Sequence, residues 1–301
     1  MKTIYVEANG LAAAWEQSVL RCWHEGESFK TEYDKPQDPL SKDVTAMIHV
    51  KDPFKEPRIH RGFPGSLESL ESYRSEVLFG CHDYFMDDLT NKERWKYTYH
   101  ERLFKYKVTE AVEDWEYGAK TGSFSPREKV INQIQICIDK LKKCSYTRRA
   151  QAVTWQAWND NDIDDPPCLQ RLWFRIEDRE GVDVLNMDVF FRSNCGYKAA
   201  YMNMYALTEL QKFVADELGV PTGCYTHHAD SYHVYGSYFD EFKGFLNMVE
   251  KRDFEDRTYN TIDAIPFFIQ SCAEQLAEPK MPEDKKEQIR QRKAYLESTL
   301  D

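Results

Sequence analysis

Apolar residues recur at helical spacing in several stretches of the chain and cluster at strand spacing in others. From Leu11 to His24, the residues Leu11, Ala14, Trp15, Val19 and Leu20 share one side of a 3.6-residue repeat, and Gly26 follows as a stop. An amphipathic helix is predicted there. Ser66 opens a second helix to about Phe79, with Leu67, Leu70, Val77 and Leu78 as its apolar stripe, Glu68 and Glu71 near its start and Gly80 behind it. A third is expected from Ser125-Pro126-Arg127-Glu128 to Lys143, with Val130, Ile134, Cys137, Ile138 and Leu141 on one face, because proline suits a first helical turn. A fourth spans Met202 to Leu218 and ends at Gly219, with Pro221 beyond. Glu283 to Asp301 keeps a helical pattern with few apolar positions (Ile289, Tyr295, Leu296), which predicts a charged, solvated helix.

Between these lie strand candidates at Val44–Val50, Ala150–Trp155, Leu172–Ile176 and Val184–Phe191, the last two joined by the charged turn Glu177 to Gly181. Gly223 to Tyr235 reads as strand and turn. Phe29 to Asp43 is a polar loop with Pro36 and Pro39, placed where a segment could close on a ligand. Pro53 to Gly65 is a connection rich in Pro, Gly, Arg and His, and Trp95 to Tyr106 reads as a half-buried surface segment. No repeat or linker interrupts the pattern, so the expectation is an α/β fold in a single domain over residues 1–282, followed by the charged helix 283–301.

Composition narrows the function classes. A 301-residue chain with 42% hydrophobic and 14% aromatic residues buries a sizeable core and is not disordered. A net charge of -11 argues against an extended nucleic-acid surface yet leaves room for a local basic pocket that holds one phosphate. The eight cysteines are scattered with no CxxC pair, which predicts free thiols in a reducing compartment. The N-terminus lacks a signal-peptide pattern and no stretch is apolar enough to span a membrane, so a soluble cytoplasmic protein is expected.

The chemistry gathers around Asp164-Asp165-Pro166-Pro167-Cys168-Leu169-Gln170. Two prolines and a following strand-like run hold the Cys168 thiol in place. Arg148-Arg149 stand twenty residues before it and Arg192-Ser193 twenty-four after, so a candidate nucleophile lies between groups suited to a phosphate. His227 and His228 are strand neighbours that face opposite ways and cannot grip one ion together; no metal is expected.

Taken in order, Arg148-Arg149 with Trp155, Pro166-Pro167-Cys168, Arg192-Ser193, Asn203 and His233-Val234-Tyr235 resemble the thymidylate synthase family. Pro-Pro-Cys-Leu-Gln, the segment Tyr97 to Leu103 and the spacing within Tyr197 to Ala206 are most similar to its archaeal-type branch, which includes deoxypyrimidine nucleotide hydroxymethylases. The resemblance covers about residues 95 to 240 well and the first 90 loosely. It implies a large mixed central sheet with flanking helices, a homodimer through sheet faces, and one-carbon transfer from 5,10-methylenetetrahydrofolate to carbon 5 of a pyrimidine nucleoside monophosphate.

By the same resemblance, Cys168 is the thiolate that adds at carbon 6, and Arg192 and Ser193 meet the phosphate, while Arg148 and Arg149 reach the phosphate of the neighbouring subunit. Asn203 reads the base: one acceptor and one donor complement the ring N–H and 4-oxo group of uracil, which favours dUMP over dCMP. His233 and Tyr235 hold the sugar 3'-hydroxyl. Glu76 or its competitor Glu71 is the general acid/base, and Tyr99 belongs to the hydrogen-bonding segment beside the nucleophile.

Two departures fall on the cofactor side. Family members generally carry an Asp three residues after the Arg of the Arg-Ser pair, where it anchors the pterin, whereas this chain has Cys195. The chain also finishes Leu296-Glu297-Ser298-Thr299-Leu300-Asp301 in place of a short apolar ending that closes over folate. Weaker folate anchoring and water access lean toward 5-hydroxymethyl-dUMP as product, with dTMP as the alternative. Hydroxymethylation of dCMP or CMP, or an inactive nucleotide-binding relative, are the other readings weighed.

Overall fold

The helix expected from Leu11 forms behind a short strand: β1 (Thr3–Ala8) is followed by α1 (Leu11–Glu25). This is seen in a computed structural model that describes residues 1–87 and 95–300. Leu11, Ala14, Trp15 and Val19 are buried, and the Trp15 indole N–H donates to the Gly196 carbonyl at 2.8 Å, which satisfies its one polar atom inside the core. β2 (Glu27–Phe29) and β3 (Ser41–Val50) flank the proline-containing loop, and β4 (Ile59–His60) precedes α2 (Leu67–Phe79). Ser66 caps α2 as expected, although Ser69 rather than a glutamate completes the reciprocal cap. Gly80 ends it with φ 68, a left-handed turn that glycine adopts without steric cost.

The segment after residue 95 is more deeply set than its sequence implies. α3 (Tyr99–Phe104) buries His100, Arg102 and Leu103, and the Arg102 guanidinium pairs with Asp160 at 2.7 and 3.0 Å. β5 (Tyr106–Glu116) and β6 (Ala119–Ile131) then form an antiparallel hairpin outside the main sheet, turning at Tyr117-Gly118, both with positive φ. This corrects the helix expected from Ser125. Residues 125–131 extend in β6, Pro126 sits opposite Ala111 in a two-stranded ribbon that tolerates a missing N–H, and Val130 is exposed. The helix α4 (Gln133–Lys143) starts later, where the Asn132 side chain accepts from the Gln135 N–H at 2.9 Å, and it buries Ile134, Cys137, Ile138 and Leu141.

β7 (Gln151–Val153), β8 (Leu169–Arg179) and β9 (Val182–Cys195) follow, the latter two longer than their apolar cores predict. Next come α5 (Ala200–Leu218), β10 (Thr222–Val234), α6 (Phe239–Lys251), β11 (Thr258–Tyr259), α7 (Thr261–Leu276) and α8 (Glu283–Ser298). The central sheet runs β1-β3-β10-β9-β8-β7, with β2 also on β3. β1 with β3 and β10 with β9 are parallel and the other pairs antiparallel, so the sheet is mixed, as the sequence implies. One face lies under α1, α4 and α5. On the other, Tyr5, Met47, His228, Phe190 and Arg171 line up across five strands, and Tyr5 and Met47 keep 50% and 40% of their surface exposed.

The last helix is charged but not solvated all round, which corrects the sequence expectation. Ile289 and Leu296 are buried, and Arg292 places both branches on Glu71 of α2 at 2.9 Å. Glu71 lies beside Arg74, which shares Glu209 of α5 with Arg58. Burial opposes the charge on Glu209, yet Arg58, Arg74 and Arg292 together hold its carboxyl well below the usual range. This chain of ion pairs fastens α2, α5 and α8 to one another. Among the described residues no helix is long and apolar enough to cross a membrane.

Candidate active site

Cys168 stands at the entrance to β8, and its neighbourhood is fixed by backbone groups. Pro166 and Pro167 donate nothing, but their carbonyls accept from Arg192: Nη2 to Pro166 O at 2.6 Å and Nε to Pro167 O at 3.1 Å. The Arg192 N–H donates to the Cys168 carbonyl at 2.9 Å. From the other side, the Leu169 N–H donates to the Tyr99 hydroxyl at 3.2 Å, so α3 braces the residue after the cysteine.

The thiol opens into a cavity of about 440 Å³ whose lining includes Arg192, Ser193, Ser231, His233, Tyr235 and Asp165. Sheet register explains the convergence. Ser193 pairs with Ser231 and Cys195 with His233 across parallel β9 and β10, so the ends of both strands deliver their side chains together. His233 and Tyr235 touch edge to face with centroids 4.3 Å apart. Thr31, Glu32 and Tyr33 close another side, from the polar loop that the sequence marked as a possible ligand-closing segment.

Burial pushes the Cys168 thiol up, Arg192 pulls it back, and Asp165 adds to the rise. Cys168 is half-buried and lies within electrostatic reach of the Arg192 cation. Burial drives His233 down to about 4, so its ring is a neutral imidazole at pH 7. The phenols of Tyr73, Tyr97 and Tyr99 are all raised, first by burial and then by neighbouring acidic groups, and they stay protonated as hydrogen-bonding groups.

The remaining sequence candidates are not in the lining of this cavity. Asn203, in the first turn of α5, is buried, and its Oδ1 accepts from the Tyr73 hydroxyl at 2.5 Å. Glu76, one turn after Tyr73 on α2, sits 2.9 Å from His82 Nδ1. Glu71 is wholly buried among arginines, an arrangement that ties up both its oxygens. Arg148 and Arg149 are exposed and line a separate cleft with Lys140, Lys143 and Tyr146. Cys195 accepts from the Lys198 N–H at 3.4 Å, and its thiol is raised by burial, so it offers a neutral sulfur where a carboxylate would carry charge.

Sequence reasoning passed over Tyr73, Asp43 and Ser231. Tyr73 stands seven residues before Gly80 in an unremarkable helical heptad, and only the packing of α2 on α5 shows that it meets Asn203. Asp43 ends a polar loop and Ser231 occupies a β-bulge, positions that carry no motif.

Comparison with known proteins places the chain in a family. The family model described as thymidylate synthase matches residues 86–266, which contain the cysteine, the arginines, Asn203 and the His233/Tyr235 pair. A protein of Methanocaldococcus jannaschii, named "putative thymidylate synthase", is 28% identical over 235 residues, covering 76% of this chain and 90% of its own. One of the same name from Methanococcoides burtonii is 25% identical over 245 residues, covering 81% and 95%. A third, from Methanopyrus kandleri, is 35% identical over a shorter stretch of 105 residues, covering 35% and 49%. With the model match spanning well over half of the sequence, and the mixed sheet carrying Cys168 at its rim, the chain belongs to the thymidylate synthase family and is a transferase of that superfamily.

Proposed function

We propose that the protein transfers a one-carbon unit from 5,10-methylenetetrahydrofolate to carbon 5 of dUMP through a Cys168 adduct, and that the product is 5-hydroxymethyl-dUMP. The observation that carries the reading is the cavity in which Cys168, Arg192, Ser193, His233 and Tyr235 converge. Carbon 5 of uracil is a poor nucleophile. Addition of the Cys168 thiolate at carbon 6 moves electrons onto the 4-oxo group and makes carbon 5 reactive. Arg192 serves twice, lowering the cost of the thiolate and meeting the phosphate with Ser193. Asn203 reads the 4-oxo edge, Tyr99 keeps the backbone after the nucleophile in place, and Glu76 moves the proton at carbon 5.

The folate supplies the electrophilic methylene when bound. Cys195 does not fit the part of pterin anchor, since it presents no carboxylate. Glu32 and Asp165 do present carboxylates at the cavity and suit the N–H edge of a pterin. A neutral anchor point at position 195 holds the folate less firmly and leaves the intermediate open to water, which favours the hydroxymethyl product. The competing reading, dTMP, is supported by the name that the methanogen relatives carry.

The active unit in this reading is a cytoplasmic homodimer, a compartment that suits the free thiols. The open sheet face, with Met47, Phe190 and His228 in one row, is the surface that pairs. Trp173, on that same face, donates through Nε1 to the Arg148 carbonyl at 3.1 Å, so the Arg148–Arg149 segment is anchored at the interface it needs in order to reach a second copy's phosphate. To test the function, purified protein is incubated with dUMP, dCMP, UMP or CMP plus methylenetetrahydrofolate and the products are weighed. A methylene plus water on dUMP is expected. A methylene alone selects dTMP, and no change to any nucleotide removes the enzyme.

A further inference from the structure

Asp43 and His233 face each other across antiparallel β3 and β10, and Ser231 lies between them in the stretch where the register of β10 shifts. The Ser231 hydroxyl is 2.5 Å from Asp43 Oδ2 and 3.2 Å from His233 Nδ1. A hydroxyl has one proton to give, and the carboxylate, which has none, takes it. The lone pairs left on Ser231 Oγ then call for a donor, and the only group His233 can offer there is Nδ1–H. The far nitrogen, Nε2, is buried without a hydrogen-bond partner in a residue only 3% exposed that lines the Cys168 cavity. A bare acceptor in such a place is costly unless a ligand supplies the donor.

We propose that Asp43 and Ser231 are positioning residues that lock His233 in the Nδ1–H tautomer, making Nε2 a fixed acceptor for the sugar 3'-hydroxyl of the bound nucleotide. The identity of that hydroxyl rests on the dUMP reading above; the relay itself does not. The order of the relay, carboxylate to serine to imidazole, converts the negative charge on β3 into a direction for one proton on β10. It also accounts for a polar pair kept where Tyr232 and Val234, on either side of His233, are fully buried. The low basicity of the buried ring is in keeping with this, since a protonated ring has no acceptor left.

The test has two arms. In the first, ¹⁵N-labelled histidine is incorporated into the full chain, and the His233 signals are identified by their loss in His233→Gln. The free protein should show a bare Nε2 and a protonated Nδ1; Ser231→Ala should move the proton to Nε2 or into exchange, and Ser231→Thr, which keeps the hydroxyl, should restore the original pattern. A protonated Nε2 in the unaltered protein, or a spectrum indifferent to Ser231→Ala, overturns the proposal. In the second arm, dUMP and 2',3'-dideoxyuridine 5'-monophosphate are titrated calorimetrically. Ser231→Ala should weaken dUMP about tenfold while leaving the dideoxy compound nearly unchanged, the signature of one lost hydrogen bond and not of a damaged fold. Equal losses for both ligands, or none, overturn the role in sugar binding. If the unaltered protein takes up neither nucleotide, the substrate reading fails while the first arm still decides the relay.

Discussion

The Tyr73 hydroxyl donates to Oδ1 of Asn203 at 2.5 Å, joining the middle of α2 to the first turn of α5 behind the cysteine cavity. With its oxygen engaged, the Asn203 amide has its N–H groups left to present to a base. A fixed donor favours the 4-oxo group of uracil and opposes the 4-amino group of cytosine. Replacing Tyr73 with Phe frees the amide to turn over. The preference for dUMP over dCMP, measured as the ratio of their kcat/KM values, should fall by about fivefold to tenfold, the worth of one hydrogen bond. A general loosening of the fold lowers both rates and leaves the ratio alone; an unchanged ratio therefore removes Tyr73 from base selection.

Cys168→Ala should lower the release of tritium from carbon 5 of labelled dUMP by roughly 10⁴-fold or more, the scale on which loss of a catalytic nucleophile registers. Nucleotide affinity should change little, because Arg192 and Ser193 remain. Release that continues at the original rate eliminates the adduct.

The thiol itself predicts a pH dependence. Burial raises the pH at which it ionises, so at neutral pH the thiolate is the minor form and grows as pH rises. Alkylation of Cys168 by iodoacetamide, followed on its peptide by mass spectrometry, should still be accelerating above about pH 8.5, where an ordinary thiol is already half ionised. Arg192→Gln removes the opposing charge and should shift the profile further to alkaline pH. A shift the other way contradicts the assigned role of Arg192.

Arg148 and Arg149 are exposed, and the proposed dimer makes their test a mixing experiment. Arg148→Ala/Arg149→Ala and Cys168→Ala should each be nearly inactive alone. Unfolded and refolded together, they should regain activity, because a mixed dimer contains one site with both parts intact. A mixture as inactive as its components would mean that the arginines serve their own chain or none.

The ion pairs that fasten α8 make a stability prediction. Arg292→Ala strands the wholly buried Glu71 beside Arg74 alone and should cost about 3–5 kcal/mol in urea unfolding. Glu209 adds a pH signature. Its carboxyl is depressed in the folded state, so its stabilisation is complete above the unfolded value of about 4.3 and is lost as pH falls through the folded one. Glu209→Gln should therefore be much less stable than the unaltered protein at pH 7, and the two should converge in acid. Parallel curves would show that the carboxylate is not what the arginines require.

The sequence made much of this legible, for physical reasons that differ by element. α1, α2 and α5 announce themselves because a buried helix face leaves a repeat that survives without any knowledge of its partner, and glycines at their ends fix the stops. Cys168, Arg192, Ser193, His233 and Tyr235 were readable as an ordered set, and parallel β9 and β10 bring most of them to one rim. The hairpin was not. Ser125-Pro126 has the chemistry of a helix start, and the competing signal, a two-residue turn at Tyr117-Gly118, counts only once β5 is known to lie opposite. Arg292 illustrates the same limit. On a strongly charged helix nothing local distinguishes the one arginine that turns inward, because its partner Glu71 lies more than two hundred residues away in the chain.

Arg192 commits two of its donors to the carbonyls of Pro166 and Pro167, so its guanidinium is held in place at the Cys168 cavity before any ligand arrives. A long, flexible cation ordinarily surrenders rotameric freedom when it grips an anion, and that loss is deducted from affinity. Here the surrender took place during folding. In the proposed reaction, capture of a small doubly charged ligand then demands little rearrangement of this arm, and the proline pair, which looks in the sequence like a mere stiffener of the nucleophile, also serves as the rest that holds the arginine.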